Sequence, residues 1–290
     1  MLKLRAPAKI NLTLEVLGKR KDGYHEIASV IQTISLADTL EFQLAETFTF
    51  SCDDPEWRAD KSLVPKAALL FAGYSGIKSK ACIRIQKTIP FSAGLGGESS
   101  AAAATLIALN YLFKTGLPLG ELYQMGKELG SDVPFFLTGG TALLSGRGEQ
   151  VSTLPGLPLY YVVLLIPPDL DIPNKTARMY SLLRPSQFTS GKTTDNFIIF
   201  LTAGTGEALP EIYNVFEGVA VEVFDRFLWY KEQFYLAGAK TVNLAGSGPV
   251  LFSLEADENK AREIARFLTK RGLKAITAHT LESTGNDSFI

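Results

Sequence analysis

The residues with the clearest chemical potential lie in one glycine-rich segment, Pro90 to Ala101, which reads PFSAGLGGESSA. Glycine permits a positive φ and lets the backbone come close to a ligand. Where such a turn leads into a helix, its free N–H groups and the helix dipole form a site for an anion. We therefore predict a strand-to-helix turn that binds a phosphate chain, with Ser99 or Ser100 capping the helix and offering a hydroxyl to phosphate or Mg²⁺.

The glycine-rich segment differs from the two common phosphate-binding motifs. No Gly-Lys-Ser/Thr follows its glycines, as a Walker A loop requires, and Ser99 stands where a dinucleotide fingerprint has its third glycine. A tight turn without a ligand is the alternative interpretation. Three glycines, the adjacent Ser99 and Ser100, and four consecutive alanines from Ala101 exceed what a turn needs, so phosphate binding of another class is favoured.

A second set of polar residues lies outside this segment. Lys9 and Asn11 alternate with apolar residues along a predicted strand, so their side chains share one face about 6.6 Å apart. Asp132 lies two residues before Pro134. By type alone, Lys9 fits a solvated strand face and Asp132 fits a helix cap. By themselves these residues do not decide between such structural roles and a part in a reaction.

Composition excludes several classes of protein. The 290 residues are 46% hydrophobic and 20% charged, which is typical of a soluble globular chain. A net charge of -1 leaves no basic excess for binding a nucleic acid. The chain has only two cysteines, no apolar segment of bilayer length and no continuous apolar N-terminal region. These features predict a cytoplasmic protein without a membrane partner.

Alternating apolar and polar residues predict a strand-rich first half. The alternation is clear from Leu4 to Val16, resumes from Glu26 to Ser35 and returns from Leu40 to Leu44. An Asp-Gly pair predicts a hairpin turn that presents Tyr24 and His25. The helices predicted to cover this sheet are Leu63 to Tyr74, Ser99 to Phe113 and Leu119 to Leu129.

The second half reads as a separate unit of mixed strands and helices, and the whole chain is predicted to be α+β. The proline-bearing stretch Leu154 to Pro158 predicts a boundary that divides the chain into domains 1–157 and 158–290. The elements predicted in the second half are a strand at Tyr160 to Ile166, a long amphipathic helix at Glu211 to Tyr235, a strand at Val250 to Leu254, a helix containing Ala261, Ile264, Ala265 and Leu268, and a strand at Lys274 to His279.

The glycine-rich segment is one of six blocks that follow one another along the chain. The other five are Ala6–Leu12 (APAKINL), Asp22–Glu26 (DGYHE), Ser131–Phe136 (SDVPFF), Gly146–Glu149 (GRGE) and Leu244–Pro249 (LAGSGP). With these blocks the chain resembles the GHMP kinases, the superfamily of galactokinase, homoserine kinase, mevalonate kinase and phosphomevalonate kinase. Since the blocks run from residue 6 to residue 249, the resemblance covers most of the chain.

This resemblance implies an ATP- and Mg²⁺-dependent transfer of a phosphoryl group to a small alcohol. It assigns Asp132 as the base that accepts the hydroxyl proton, a role worth about 10² to 10⁴ in rate, and Lys9 as the cation beside it. It also implies two domains, the N-terminal one like domain 2 of ribosomal protein S5 and the C-terminal one ferredoxin-like. The residues it assigns to the nucleotide are Pro90, Ala93, Gly94, Leu95, Gly96, Gly97, Glu98, Ser99, Ser100 and Ala101.

The block around Tyr24 and His25 resembles the branch of the superfamily that acts on a cytidine diphospho-methylerythritol in non-mevalonate isoprenoid synthesis. The resemblance implies that His25 reads the hydrogen-bonding edge of cytosine while Tyr24 and Tyr180 stack on its two faces. Asn11 would reach the erythritol. By type alone, Tyr24 and His25 are surface residues of a turn, and Tyr180 is a core residue on a helix face.

Three functions are consistent with the blocks. The favoured one is phosphorylation of the 2-hydroxyl of the cytidine diphospho-alcohol. A kinase for homoserine or mevalonate is the second, and a nucleotide-binding sensor without turnover is the third. The chain departs from the family pattern at Ser62, Glu98 and Ala102, and Val215 interrupts an Asn-Asp-Phe-Glu pattern of which Asn214, Phe216 and Glu217 remain. These departures concern the nucleotide contacts. Glu98 and Ala102 raise the possibility of a sensor, whereas the presence of both catalytic candidates argues against it.

Overall fold

Two β-sheets form the framework of the computed structural model, which describes residues 1–168, 170–203, 209–284 and 286. The strands are β1 (Leu2–Asn11), β2 (Thr13–Lys19), β3 (His25–Ala45), β4 (Thr49–Cys52), β5 (Lys80–Gln86), β6 (Thr141–Ser145), β7 (Gln150–Thr153), β8 (Tyr161–Ile166), β9 (Tyr213–Asn214), β10 (Asn243–Leu244), β11 (Leu251–Glu255) and β12 (Lys274–His279). The large sheet has the order β4-β5-β3-β2-β9, with β1 and β6 also paired to β3 and β7 paired to β6. The small sheet has the order β10-β11-β8-β12.

The long strand β3 organises the large sheet. It runs for 21 residues and pairs antiparallel with β1, β2, β5 and β6 along different parts of its length. Two separate strands were expected over this stretch. They are continuous because Asp38, a residue typical of turns, is buried within the strand, where it accepts hydrogen bonds from the backbone N–H groups of Thr88 and Ile89.

The predicted hairpin turn is present between β2 and β3, and the predicted strand at Lys274 to His279 is confirmed. The two sheets share one buried cluster, in which Ile10 of β1 lies with Val162 and Leu164 of β8. One strand of the second half, β9, pairs parallel with the start of β2 and so extends the large sheet. The apolar face of β1 therefore packs between the sheets.

The helices are α1 (Leu63–Ser75), α2 (Gly97–Leu112), α3 (Leu119–Leu129), α4 (Lys175–Leu182), α5 (Lys192–Ala203), α6 (Glu217–Ala220), α7 (Phe227–Leu236) and α8 (Glu258–Lys270), with 3-10 turns at Phe135–Leu137 and Pro185–Gln187. The three helices predicted in the first half and the one predicted near residue 264 are confirmed. No helix in the described parts of the chain is long and apolar enough to cross a membrane.

The predicted cap of α2 is wrong. The residue that precedes the helix is Gly96, with a φ of +75°, and no side chain caps the helix there. A left-handed φ of this kind favours glycine. Ser99 and Ser100 lie inside the first turn, and the following alanines, from Ala101 to Ala104, are buried where the helix packs against the sheet.

The long helix predicted from Glu211 to Tyr235 is also wrong. This stretch contains β9, then the short helix α6, and then α7. Tyr213 and Asn214 are extended because they pair with Thr13 and Leu14 of β2. Arg226 has a φ of +58°, a left-handed conformation that a continuous α-helix does not allow.

Candidate active site

Lys9, Asn11 and Asp132 converge at one point of the structure. The Nζ atom of Lys9 donates a hydrogen bond to Oδ1 of Asn11 at 2.8 Å and lies 3.5 Å from Oδ2 of Asp132. The Lys9 side chain is 7% exposed, whereas that of Asp132 is 32% exposed. A buried ammonium thus pairs with a carboxylate that solvent, or a substrate, can still reach.

The backbone ties this pair to the glycine-rich turn. The N–H of Lys9 donates to the carbonyl of Leu95 at 2.9 Å. A Cβ placed on Gly96 would lie 3.0 Å from Cγ of Lys9 and 2.8 Å from Cζ of Phe136, so any larger residue would separate the three segments. Glycine is required here because strand, turn and the loop that carries Asp132 are in contact.

The glycine-rich turn lines a cleft of about 270 Å³. Gly94 and Gly96 have positive φ, and the N-terminus of α2 begins directly after them. Ser100 is buried, and its hydroxyl lacks a hydrogen-bond partner in the described structure. Among the residues that resemblance assigned to the nucleotide, those lining the cleft are Pro90, Ala93, Gly94, Leu95, Gly96, Gly97, Glu98 and Ser99, while Ser100 and Ala101 follow them on α2.

Glu98 and Ser62, two positions that depart from the family pattern, contact each other. One carboxylate oxygen of Glu98 accepts hydrogen bonds from the Ser62 hydroxyl at 2.9 Å and from the N–H of Leu63 at 2.8 Å. Ser62 in turn caps α1 by accepting from the N–H of Val64. The Glu98 charge is therefore directed at the N-terminus of α1, where a helix dipole stabilises an anion.

A second glycine loop, Leu244–Pro249, packs against the first. A Cβ on Gly94 would lie 2.4 Å from the carbonyl oxygen of Ala245, and one on Gly246 would lie 3.1 Å from Nζ of Lys9. The loop is held from behind by the Asn214 amide, which donates to the carbonyls of Leu244 and Gly246 at 2.8 Å each. The C-terminal half thus reaches the Lys9 ammonium through its backbone.

Glu217 strengthens this support. Its carboxylate accepts from the N–H of Leu244 at 2.8 Å and pairs with Lys231 at 2.6 Å. Asn214 and Glu217 belong to the interrupted Asn-Asp-Phe-Glu pattern, so the substitution at Val215 leaves both supporting side chains in place.

The aromatic residues form a group beside the catalytic pair. The rings of His25 and Tyr180 stack at 4.9 Å and 16°, and Phe188 meets His25 edge-on at 5.9 Å. Burial lowers the pKa of His25, and the charge of Lys19 adds to this effect. Burial, and in addition the charge of Asp132, raises the pKa of Tyr180 to about 12.

Tyr24 occupies a different position from the one expected for a direct partner of Tyr180. It is 55% exposed at the hairpin tip, and the guanidinium of Arg147 lies 4.6 Å above its ring. The ring of Tyr180 contacts those of His25 and Phe216, each at 4.9 Å, and the stacked spacing to His25 leaves no room for a third ring between them.

One charged residue at this site was missed from the sequence. Lys175, at the start of α4, is buried, and its ammonium donates to the carbonyls of Ser92 and Gly248. It thereby connects the two glycine loops. No local pattern marks this lysine, because its partners are backbone carbonyls far away in the sequence.

Known proteins resemble this chain over nearly its whole length. A family model described as the GHMP kinases N terminal domain matches residues 62–140. The 4-diphosphocytidyl-2-C-methyl-D-erythritol kinase of Dehalococcoides mccartyi is 48% identical over 282 residues, which cover 97% of this chain and 99% of the relative. The enzyme of that name from Gloeobacter violaceus is 35% identical over 289 residues, or 97% and 95% of the two chains.

Solved structures agree with these relatives. A crystal structure of 4-(cytidine 5'-diphospho)-2C-methyl-D-erythritol kinase superposes with a TM-score of 0.82 at 32% identity, covering 96% of this chain and 99% of the other. Mevalonate kinase of Methanococcus jannaschii has a TM-score of 0.73 at 14% identity over 97% and 98% of the two chains, which shows a shared GHMP kinase fold. Because identity is high over almost the full length, this chain belongs to the family of 4-diphosphocytidyl-2-C-methyl-D-erythritol kinases.

Proposed function

We propose that the chain transfers the γ-phosphoryl group of ATP to the 2-hydroxyl of 4-diphosphocytidyl-2-C-methyl-D-erythritol, a step of the non-mevalonate isoprenoid pathway. Its family makes it an ATP-dependent small-molecule kinase. The observation that carries the proposal is the pair of Lys9 and Asp132 beside the cleft of the glycine-rich turn. A base, a cation and an anion site in contact are what this reaction requires.

The catalytic pair acts on the acceptor alcohol. Asp132 accepts the proton of the 2-hydroxyl while that oxygen forms a bond to the γ-phosphorus, and the bond from the γ-phosphorus to the β,γ-bridging oxygen breaks to release ADP. Lys9 stabilises the charge that develops on the attacking oxygen. Asn11 orients the Lys9 ammonium through its hydrogen bond, and its amide is itself held by the Ser29 hydroxyl at 2.8 Å.

The phosphates of ATP are bound by the first glycine loop and the N-terminus of α2. Backbone N–H groups bind them without a side chain, which explains the dense packing of small residues there. The unpartnered hydroxyl of Ser100 fits a phosphate oxygen or the accompanying Mg²⁺. Glu98 is engaged with α1 and so does not repel the triphosphate at close range.

Mg²⁺ is proposed to enter with the phosphates. In the described part of the chain, no group of three His, Cys, Asp or Glu side chains could hold a metal ion. Mg²⁺ commonly binds through substrate phosphates and water with few protein oxygens, so it does not need such a group of side chains. When bound, the ion would offset charge on the β- and γ-phosphates.

Cytosine recognition is assigned to the aromatic group. His25, neutral at neutral pH because its pKa is lowered, can donate one hydrogen bond and accept another, which matches the mixed edge of cytosine. Tyr24 supplies a ring for stacking at the hairpin tip. Since His25 and Tyr180 are in contact, the base displaces one of these rings or stacks on an outer face.

We also propose a division of the chain into two domains. Residues 1–157 are assigned to an S5-like catalytic domain that holds the nucleotide, and residues 158–290 to a ferredoxin-like domain that completes the substrate cleft. The small sheet and its helix α8 are consistent with the second assignment. The cytoplasmic location predicted from the sequence stays a prediction.

The proposed substrate is tested by measuring ADP release with three alcohols: 4-diphosphocytidyl-2-C-methyl-D-erythritol, homoserine and mevalonate. We expect turnover with the cytidine compound alone, because the aromatic group matches a nucleobase. Turnover with another alcohol would favour the second candidate function, and ATP binding without ADP release from any of them would favour the sensor.

The role of Asp132 is tested by Asp132→Asn. This change keeps the shape of the side chain but removes the base, so we expect kcat to fall at least about 10²-fold while ATP affinity changes little. Steady-state kinetics and calorimetric ATP binding measure the two effects. The matched control is Asp225→Asn, which alters an exposed carboxylate. Unchanged turnover would remove Asp132 from the mechanism.

The contact between the glycine loops is tested by Gly94→Ala. The added Cβ would meet the Ala245 carbonyl at 2.4 Å, and the φ of +81° strains any residue but glycine. We expect KM for ATP to rise at least about tenfold, which corresponds to about 1.4 kcal/mol. Gly120→Ala is the control, because its Cβ meets nothing within 4 Å. Equal kinetics for both variants would contradict a role for this contact.

The protonation state of His25 is tested by the pH dependence of the reaction. Because its pKa is lowered from the ordinary histidine value, His25 is neutral near neutral pH, and acidification through its pKa adds a proton that removes its hydrogen-bond acceptor. We expect KM for the cytidine substrate to be constant around neutral pH and to rise as the pH falls through the range in which His25 becomes protonated. In His25→Gln this rise should disappear; a rise of the same size in the variant would assign it to another group.

A further inference from the structure

Lys175 is a buried cation at the junction of the two glycine loops. Lys175 is 8% exposed, and its ammonium donates to the carbonyl of Ser92 in the first loop and to that of Gly248 in the second. A lysine ammonium has three protons, so these two carbonyls leave one proton unused. The neighbouring Thr176 hydroxyl lies 2.9 Å from that of Ser247, which adds a further contact between α4 and the second loop.

Within the described residues, no carboxylate forms an ion pair with Lys175. Burying a charge without a counter-charge is unfavourable. The pKa of Lys175 is accordingly lowered to about 8, chiefly by burial and also by the charge of Lys9. Both lysines contact the second glycine loop, Lys175 at the Gly248 carbonyl and Lys9 next to Gly246, and Asp132 forms its ion pair with Lys9.

The position of the uncompensated charge indicates what would compensate it. Ser92, whose carbonyl holds Lys175, lies in the turn that lines the nucleotide cleft. The N-terminus of α2 adds partial positive charge to the same cleft. A polyanion that enters the cleft would meet this positive potential, and a triphosphate is the polyanion that this family uses.

We propose that Lys175 is a second cation of the ATP site, whose charge is balanced only when the phosphates are bound and which meanwhile holds the two glycine loops together. This proposal rests on the function proposed above and adds a residue to its nucleotide site. A bound phosphate stabilises the ammonium form, so nucleotide binding and protonation of Lys175 favour each other.

The sign of the resulting pH effect follows from this coupling. Below about pH 8 the Lys175 amine is charged before ATP arrives, whereas at higher pH the protein must take up a proton when ATP binds. ATP affinity should therefore fall as the pH rises through 8.

The other titratable groups around the cleft do not account for a proton uptake near pH 8. His25 titrates at lower pH and Tyr180 at about pH 12. The remaining charged groups there have partners: Lys9 with Asp132, Lys87 with Asp38, and Glu98 with Ser62 and Leu63.

The proposal is tested by titrating the full chain with ATP and Mg²⁺, without the alcohol, in two buffers of different ionisation enthalpy. For the wild type at pH 8 we expect uptake of about half a proton per ATP, and uptake that increases toward pH 9. ATP that binds with pH-independent affinity and no proton uptake would overturn the role of Lys175 while leaving nucleotide binding intact. Absence of ATP binding at every pH would instead overturn the proposed function itself.

Two variants assign the proton. Lys175→Met removes the charge, and we expect ATP affinity at pH 7 to fall at least about tenfold with no proton uptake at pH 8. Lys175→Arg keeps a permanent charge, so ATP affinity should recover in part and lose its pH dependence. Lys270→Met, on the exposed face of α8, is the control and should behave as the wild type. Proton uptake that persists in Lys175→Met would overturn the proposal, and the wild-type measurement decides the matter even if a variant fails to fold.

Discussion

The backbone hydrogen bond from Lys9 to Leu95 is the constraint on which the site depends. It fixes β1, which carries Lys9, against the glycine-rich turn. The close approach is possible because Gly96 has no side chain to separate Lys9 from Phe136. The Lys9 ammonium thereby lies beside this turn and 3.5 Å from the Asp132 carboxylate.

The C-terminal half contributes to this arrangement mainly through backbone. Its glycine loop lies against the first one, with Gly246 next to the Lys9 ammonium. Asn214, Glu217 and Lys175 hold the loop from three directions by hydrogen bonds to main-chain groups. Such support positions a catalytic centre without placing further side chains between the reactants.

Two residues that depart from the family pattern, Glu98 and Ser62, form a hydrogen bond with each other. A glutamate beside a triphosphate would be unfavourable if its charge faced the phosphates. Here Glu98 binds Ser62 and the N-terminus of α1, so its charge is directed elsewhere. One contact between residues that are far apart in sequence thus explains the departures from the family pattern at Ser62 and Glu98.

The sequence alone determined the features that depend on local pattern and on residue type. Period-2 alternation from Leu4 to Val16 predicted one strand, which the structure divides into β1 and β2. Helical periodicity predicted α8, and the glycine-rich segment predicted the strand-to-helix turn. Its blocks also identified the superfamily, and they predicted the pair Lys9 and Asp132, whose charged groups lie 3.5 Å apart in the structure. These properties are encoded in neighbouring residues, which is why they can be read without coordinates.

Only the tertiary structure decided how distant segments meet. Apolar periodicity from Glu211 to Tyr235 suggested one helix, but pairing with β2 made Tyr213 and Asn214 extended. The direction of the Glu98 carboxylate, the stacking of Tyr180 on His25 and the burial of Lys175 all depend on partners remote in the chain. No local pattern records such contacts, because their energy comes from groups that only the folded chain brings together.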